Sequence, residues 1–166
     1  ENINESFNDL FKSMIVGVIL IAFTLVLIFN SFRQPFIILL SLPLALIGVF
    51  PGLFLIGLNL SFPAFLGVVA LSGIVVNDAI ILIDRINNNR KNSIEFKEAI
   101  AEGTKARLQP IMMTSITTVI GILPLALSNE FWAGLGFTII FGLLFSTILT
   151  LIVMPILYYI FEYKRA

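Results

Sequence analysis

The chain is 166 residues long, carries no net charge, and combines 58% hydrophobic residues with only 12% charged ones; its mean hydropathy is +1.05. This composition is typical of a chain whose solvent is lipid, and it makes a water-soluble globular protein the weaker interpretation. The lack of cysteine and histidine excludes thiol chemistry, disulfides, imidazole bases and the common zinc sites, and the neutral charge gives no indication of a nucleic-acid partner.

Five apolar stretches are long enough to be membrane-spanning helices, which need roughly 20 mainly apolar residues. The predicted fold is therefore an all-α membrane protein, a bundle of five transmembrane helices. Two connections, 59–61 and 128–132, are short enough to join antiparallel neighbours, whereas 84–109 is a long polar segment. The spans are predicted at about 10–29, 36–58, 62–83, 110–127 and 133–161.

Lysine and arginine are distributed unevenly over the two ends of this predicted bundle. Nine of the ten lie at the end that holds the long polar segment and the C-terminus, and only Lys12 lies at the other. By the positive-inside rule, the C-terminus is cytoplasmic and the N-terminus is outside. The nine are Arg33, Arg85, Arg90, Lys91, Lys97, Lys105, Arg107, Lys164 and Arg165.

The first residues, ENINESFNDL, begin without methionine and carry three acidic side chains. They lack the basic region and the cleavage site of a signal peptide. An odd number of helices that starts outside is most simply explained as the end of a longer polypeptide, so we expect a preceding segment to deliver this chain to the membrane.

Small residues recur every four positions on the second and fifth spans. Gly48 and Gly52 do so on the second span, and Gly142, Ser146 and Thr150 on the fifth. Small side chains let helices approach closely, so packing is their expected role. Prolines inside the spans predict kinks. They are Pro43, Pro51, Pro124 and Pro155.

The third span holds an amide and a carboxylate, Asn77 and Asp78, in the otherwise apolar run GIVVNDAIILID at 73–84. Asp78 is expected roughly 8 Å from the midplane on the cytoplasmic side. A charge there costs several kcal/mol, and such residues usually face a polar cavity or relay protons, so a functional role is favoured about two to one over a structural tie. Asp84 is expected near the interface and is a weak candidate.

The long polar segment is predicted to contain a short amphipathic helix at about 93–107. Asn92 and, three residues later, Glu95 have the spacing of a capping box, and apolar and charged residues then occupy opposite faces. The helix can lie on the cytoplasmic membrane surface or be a solvated connector with a charge-paired face. The two interpretations are equally favoured and compatible.

The fourth span carries hydroxyl groups at the expected depth of Asp78. Arg107 and Thr114 are seven residues apart, so a helix that extends through the start of the span aligns them on one face. A polar layer across the third and fourth spans is therefore possible, although hydrogen bonds to the helix's own backbone are favoured about two to one for the hydroxyls. Its further members are Ser115, Thr117 and Thr118.

Proton transfer is the chemistry that these residues fit best. The sequence has no nucleophile motif, phosphate-binding loop or set of metal ligands, so we predict neither an enzyme nor a bound cofactor. Burial favours a neutral carboxyl and a nearby arginine favours a carboxylate. A buried Asp78 can therefore switch between two protonation states.

Four stretches together carry a resemblance to a known family. In order and spacing, they resemble the last five transmembrane helices of resistance-nodulation-division (RND) efflux permeases, most closely the hydrophobe and amphiphile exporters. The resemblance covers nearly the whole chain. The stretches are NSFRQPFIILLSLPLALIGVFPGLFLIGLNLSF, GIVVNDAIILIDRIN, RLQPIMMTSITTVIGILPLAL and GLLFSTILTLIVMPILYYIF.

The resemblance implies a proton-driven multidrug efflux pump of the bacterial inner membrane. Such pumps are usually homotrimers that work with a periplasmic adaptor and an outer-membrane channel. This chain resembles the second half of the transmembrane domain, whose partner is the N-terminal half of the same transporter.

The resemblance also implies roles in a proton relay. Arg107 and Thr114 match the arginine and threonine of that relay, while Asn77 stands where the family's drug pumps have a lysine. Asp78 can supply a titrating group of its own or be structural. The family's paired aspartates are in the first half of the transporter and not in this chain.

Two other function classes stay open at this point. One is a protein-export accessory or a sterol-sensing-like membrane protein of related fold, and the other is a structural helical bundle without transport. On the transporter interpretation, the chain alone is expected to pump nothing. It is also expected to self-associate or be unstable, because its polar and small-residue surfaces would meet the first half rather than lipid.

Overall fold

A computed structural model describes residues 2–163 of the chain. These residues form six α-helices and no strand, which confirms the predicted all-α class. Lys164 and Arg165, two of the cations behind the predicted orientation, lie outside the described residues. The helices are α1 (Asn2–Phe29), α2 (Arg33–Leu39), α3 (Ser41–Leu55), α4 (Phe62–Lys91), α5 (Phe96–Ala126) and α6 (Glu130–Glu162).

Five helical segments within the described residues are long and apolar enough to cross a membrane, as predicted. They extend past the predicted limits at several ends, because charged and amide side chains continue a helix as readily as apolar ones. The segments are Phe7–Phe29, Arg33–Leu55, Phe62–Lys91, Phe96–Ala126 and Glu130–Glu162.

The second span consists of two helices, α2 and α3, separated at Leu40. Pro43 has no amide hydrogen to donate to the carbonyl of Leu39, so the helical ladder is interrupted one turn before it. The span ends at Leu55 rather than at the predicted residue 58. Gly57 adopts φ +70° there, and Leu58 N donates to Leu53 O at 3.0 Å, a Schellman motif that stops the helix.

The amphipathic segment predicted at 93–107 is helical from Phe96 onwards, but as the first turns of α5 rather than as a separate helix. The predicted capping box is wrong, because Asn92 ends α4 and the side chain of Glu95 makes no capping hydrogen bond. The close approach of Gly103 to Ile86 holds this part of α5 against α4. Its contact with a membrane surface stays a prediction.

Helix α6 lies at the centre of the bundle and packs against α3, α4 and α5. Glycines make these contacts close. A Cβ atom added at Gly142 would overlap Leu71 and lie 2.8 Å from a methyl carbon of Val49, while one at Gly48 or Gly52 would overlap aromatic side chains of α6. The predicted packing role of these glycines is confirmed. Helix α1 lies at the periphery and has only one buried apolar side chain among its described positions, Leu25.

Candidate functional site

Helices α4 and α6 run side by side in the same direction with a constant register. Three contacts between them join residues that are 71 positions apart in the chain. These pairs are Gly67 with Thr138, Leu71 with Gly142, and Asn87 with Tyr158. The same offset puts Asp78 level with position 149 of α6, between the hydroxyl groups of Thr147 and Thr150.

Asp78 lies on the side of α4 that faces the other helices of the bundle, in line with Leu71, which contacts Gly142 of α6. Its side chain is 7% exposed, and no hydrogen bond joins it to another described residue. Asn89, about three helical turns further along α4, occupies the same side, and its Nδ2 atom donates to the carbonyl of Ala99 on α5 at 3.2 Å. The side chain of Asp78 therefore lies near the junction of α4, α5 and α6, largely but not completely enclosed.

Asn77 has the opposite environment, because one residue along a helix rotates the side chain by about 100°. It is exposed and lines an open cavity of about 410 Å³ between α1 and α4, together with Gly73 and Thr24. The structure therefore separates the two polar residues of the third span. One is directed into the bundle and the other onto its surface.

Ser115 is the hydroxyl residue of α5 that joins another helix. Its side chain is buried, and its Oγ atom lies 2.6 Å from Oγ1 of Thr147 on α6, within hydrogen-bond distance. Ser115 also lies within hydrogen-bond distance of the carbonyl of Ile111, at 2.9 Å, whereas Thr114, Thr117 and Thr118 donate only to backbone carbonyls of α5, at 2.8 to 3.0 Å. The hydrogen bonds of these three residues are therefore those of the structural interpretation, in which the hydroxyls bond to the backbone of their own helix.

Arg107 is partly buried at the start of the fourth span. Its Nε atom is inaccessible to solvent and has no hydrogen-bond partner among the described residues. Neither Arg107 nor Thr114 forms a hydrogen bond with Asp78, so the alignment predicted for one face of α5 is not accompanied by a hydrogen bond to this carboxyl group. The roles assigned to these residues stay predictions.

Two hydroxyl residues of α6 extend the polar layer beyond the predicted set. Thr147 shares the hydrogen bond with Ser115, and the buried Oγ1 atom of Thr150 has no partner in the described part of the chain. The sequence assigned Thr150 only to packing. Its signal was the continuation of small residues every fourth position on α6, a stripe whose members at Thr138 and Gly142 contact α4.

The surfaces of α4 and α5 next to this layer are open. A Cβ atom added at Gly73 on α4 or Gly121 on α5 would meet nothing within 4 Å. Asn77, Thr114 and Thr117 are exposed on the same two helices. Polar and glycine positions therefore face outwards here, beside a buried carboxyl group.

This arrangement can hold a proton and can respond to a charge brought to the open surfaces. A carboxyl group that lacks a hydrogen bond is more easily neutral than charged in an apolar setting, and a cation placed beside it favours the carboxylate. Hydroxyl groups at the same level can donate a hydrogen bond to the charged form.

Comparisons with known proteins agree over most of the chain. The model of the AcrB/AcrD/AcrF family matches residues 1–162. Swarming motility protein SwrC of Bacillus subtilis (strain 168) is 40% identical over 162 residues, which are 95% of this chain and 15% of that protein. Multidrug resistance protein MdtC of Proteus mirabilis (strain HI4320) is 34% identical over 168 aligned positions, which cover 96% of this chain and 16% of that protein.

A solved structure has the same helical arrangement. The X-ray structure of a heavy metal efflux pump in crystal form II matches with a TM-score of 0.80 and 33% identity, over 88% of this chain and 15% of that one. The present chain thus spans roughly one sixth of the length of the proteins that it matches.

Proposed function

The chain belongs to the AcrB/AcrD/AcrF family of RND permeases, and we propose on this premise that it forms the last five transmembrane helices of a proton-driven efflux transporter. In this proposal, the N-terminal half of the same transporter packs against it in the bacterial inner membrane. The proposed cargo is a set of hydrophobic or amphiphilic drugs, and the multidrug resistance protein among the relatives supports only the export of drugs.

The observation that carries the proposal is the burial of Asp78 without a hydrogen bond, level with the hydroxyl layer. A carboxylate inside a membrane costs several kcal/mol unless it is paired, hydrated or neutralised. A purely structural role would favour a carboxyl group with a fixed hydrogen-bond partner. An unpaired carboxyl group instead suits a site that exchanges a proton during a transport cycle.

The open surfaces of α4 and α5 support the proposal that the N-terminal half of the transporter packs against this chain. Asn77 and Thr114 are exposed on them, and Arg107 has an unpaired buried donor. Exposed polar groups are costly against lipid. We infer that the N-terminal half covers them and brings the family's paired aspartates to this side of the bundle.

The remaining assignments follow from the same family membership. The transporter is proposed to be a homotrimer that works with a periplasmic adaptor and an outer-membrane channel. A second candidate cargo is a heavy-metal ion, which is favoured by the likeness to the solved heavy metal pump. Both cargoes can be driven by one proton relay, so transport of matched drugs and metal ions by the complete transporter separates them.

The test of the relay compares two aspartates of α4 in the complete transporter. Asp78→Asn should lower substrate-dependent proton flux in membrane vesicles by about tenfold or more, equivalent to ~1.4 kcal/mol, because the amide cannot exchange the proton. The exposed Asp84 is the matched control. Asp84→Asn should stay within about twofold of the parent. Full activity of Asp78→Asn at matched expression would leave the structural-bundle interpretation standing.

The proposed orientation has a test of its own. Single cysteines at Asn88 and Ser93 should be protected in intact cells from a membrane-impermeant thiol reagent, whereas those at Asn59 and Ser128 should react. The chain itself has no cysteine that would react in the background. The reverse pattern would invert the orientation.

A further inference from the structure

A hydrogen-bonded junction joins three helices far from the polar layer, at the start of α2 and the C-terminal ends of α4 and α6. The hydroxyl of Tyr158 donates to Oδ1 of Asn87 at 2.6 Å. Asn87 donates to Oε1 of Gln34 at 2.8 Å, and Gln34 donates back to Oδ1 of Asn87 at 3.2 Å. The two amides thus form a closed pair, and the tyrosine hydroxyl bonds to that pair from a third helix.

Arg90 completes this junction from one turn further along α4. Its guanidinium donates to the hydroxyl of Tyr158 at 3.0 Å and to a carboxylate oxygen of Glu162 at 3.5 Å. The guanidinium carbon also lies 5.0 Å from the ring centroid of Phe96 at the start of α5. Because Arg90 has only donors, the Tyr158 hydroxyl must accept from it and can donate only to Asn87. We call Gln34, Asn87, Arg90, Tyr158 and Glu162 the Tyr158 junction.

The centre of the junction is buried, with Asn87 and Arg90 partly exposed at its edge, which makes stability a poor explanation for it. Tyr158 is fully buried, and Gln34 and Glu162 are less than a tenth exposed. Well-packed apolar residues often stabilise such a position as well as or better than a buried polar network. A network in which every group is paired contributes mainly to the choice of one arrangement over its neighbours.

In the neighbouring part of the α4–α6 interface, the packing alone does not select one axial position of α4 against α6. Apart from Asp78 and the α6 hydroxyls, its buried side chains are aliphatic, among them Ala79, Ile83 and Met154. The described residues form no hydrogen bond between α4 and α6 from Leu71 to Ile86. Aliphatic ridges repeat at every turn, so a shift of one helix by about 5.4 Å brings similar surfaces together. Hydrogen-bonded partners do not repeat in this way.

The Tyr158 junction and the glycine contacts stand on opposite sides of the proposed relay residues. Gly142 against Leu71 fixes α4 and α6 on one side, and Asn87 with Tyr158 fixes them on the other. Asn77 and Asp78 lie between these two points. Loss of either point would let the intervening turns of α4 slide or bend against α6.

We propose that the Tyr158 junction is a register lock, which holds α4 at one axial position against α6 and thereby sets the depth of Asp78 against the hydroxyls of Thr147 and Thr150. Tyr158, Asn87 and Gln34 are positioning residues in this role, since they touch neither cargo nor the transferred proton. The link to transport rests on the proposed proton relay. The lock itself concerns only the two helices.

Two neighbouring pairs of identical residues provide matched variants. Tyr158→Phe removes one hydroxyl from the junction, whereas Tyr159→Phe removes a hydroxyl that makes no hydrogen bond with a described residue. Asn87→Leu breaks the amide pair, whereas Asn88→Leu removes only an exposed bond to Asp84. Gln34→Leu breaks the same amide pair from α2, should Asn87→Leu fail to fold.

The register is measured first, in a cysteine-free complete transporter with spin labels at Lys91 on α4 and Ile160 on α6. Tyr158→Phe and Asn87→Leu should broaden the interlabel distance distribution or shift it by up to about 5 Å, one helical turn. Tyr159→Phe and Asn88→Leu should leave it unchanged. An unaltered distribution in both junction variants would overturn the lock.

Transport is measured next as a function of pH. A displaced Asp78 meets different neighbours, so Tyr158→Phe should move the pH midpoint of the maximal transport rate by about half a unit or more while the half-saturating substrate concentration stays constant. A variant that is merely less stable would lose rate at every pH. A shifted distance with an unchanged pH midpoint would overturn the link to Asp78, and an inert Asp78→Asn would refute the relay but not the lock.

Discussion

Glycines occur in two contrasting regions of this molecule, the interface around α6 and the open surfaces of α4 and α5. At Gly142 and Gly52 an added Cβ atom overlaps side chains of another helix, whereas at Gly73 and Gly121 it meets nothing within 4 Å. The first region is a finished helix contact. The second has the same small residues without a close contact, although Gly73 lines the open cavity beside α1, and it lies beside the polar residues that the transporter proposal uses.

Small residues therefore indicate close helix approach without indicating whether the approaching helix belongs to the same chain. Around α6 the approaching helices are α3, α4 and α5, which the chain supplies. Exposed Asn77 and Thr114 accompany the open glycines, and polar groups against lipid carry a cost that a covering helix would remove. The two regions should therefore respond differently to the same substitutions.

The largest difference is expected between Gly142→Leu and Gly73→Leu in the chain alone. Leucine at 142 overlaps Leu71 and Val49, and overpacking of this kind costs ~1–3 kcal/mol in the free energy of unfolding. Leucine at 73 points into open space and should cost less than about 0.5 kcal/mol. Denaturant unfolding of the two variants in detergent micelles gives the comparison.

The same pair of variants in the complete transporter tests whether the N-terminal half covers the open surface at Gly73. If the N-terminal half covers the open surfaces, Gly73→Leu should now also lower thermal stability or assembly, although it is harmless in the chain alone. A Gly73→Leu transporter as stable as its parent would mean that this surface faces lipid or water, and the proposed contact with the first half would have to be abandoned.

A smaller difference is expected between two hydroxyl groups of α5. Ser115→Ala removes a buried hydrogen bond to Thr147 on the neighbouring helix, and such bonds in membrane bundles contribute about 0.6 kcal/mol, up to ~1.7. Thr117 is exposed and bonds only to carbonyls of its own helix. Thr117→Ala should therefore leave the free energy of unfolding in micelles nearly unchanged. Equal losses in the two variants would contradict the distinction between closed and open regions.

The sequence predicts features that depend on residues close together in the chain better than features that depend on contacts between distant residues. Five spans, their short connections and the close packing at Gly48, Gly52 and Gly142 follow from local composition and spacing, and the structure confirms them. The break at Leu40 was harder to predict, because Pro43 indicates a lost backbone hydrogen bond but not whether the helix kinks or divides into two.

For the candidate site, the sequence predicts depth but not direction. Depth follows from the rise per residue, and the grouping of Asp78 with the hydroxyls of α5 stays a prediction. Direction depends on which helices are neighbours, and the sequence alone did not reveal that α6 supplies Thr147 and Thr150 to the layer. The Tyr158 junction was missed for the same reason, since its members at Gln34, Asn87 and Tyr158 are far apart in the chain.

The smallest effect on stability, and the most informative one on function, is expected at Thr150. Its hydroxyl is buried without a partner among the described residues, whereas the equally buried Thr138 on the same stripe donates to the carbonyl of Gly134 at 2.7 Å. Thr138→Val should cost roughly 0.5–1.5 kcal/mol. Thr150→Val removes an unsatisfied polar group while keeping the shape of the side chain, so it should leave the free energy of unfolding unchanged or raise it slightly.

In the complete transporter, the effect of Thr150→Val on transport is expected to differ from its effect on stability. If the hydroxyl serves the carboxylate of Asp78 in another step of the transport cycle, Thr150→Val should slow proton-coupled transport by about threefold to tenfold, because the charged form loses a hydrogen bond worth ~1 kcal/mol, although the protein is no less stable. Unimpaired transport in Thr150→Val would return this hydroxyl to the closed packing region and limit the functional layer to the side of α4 and α5.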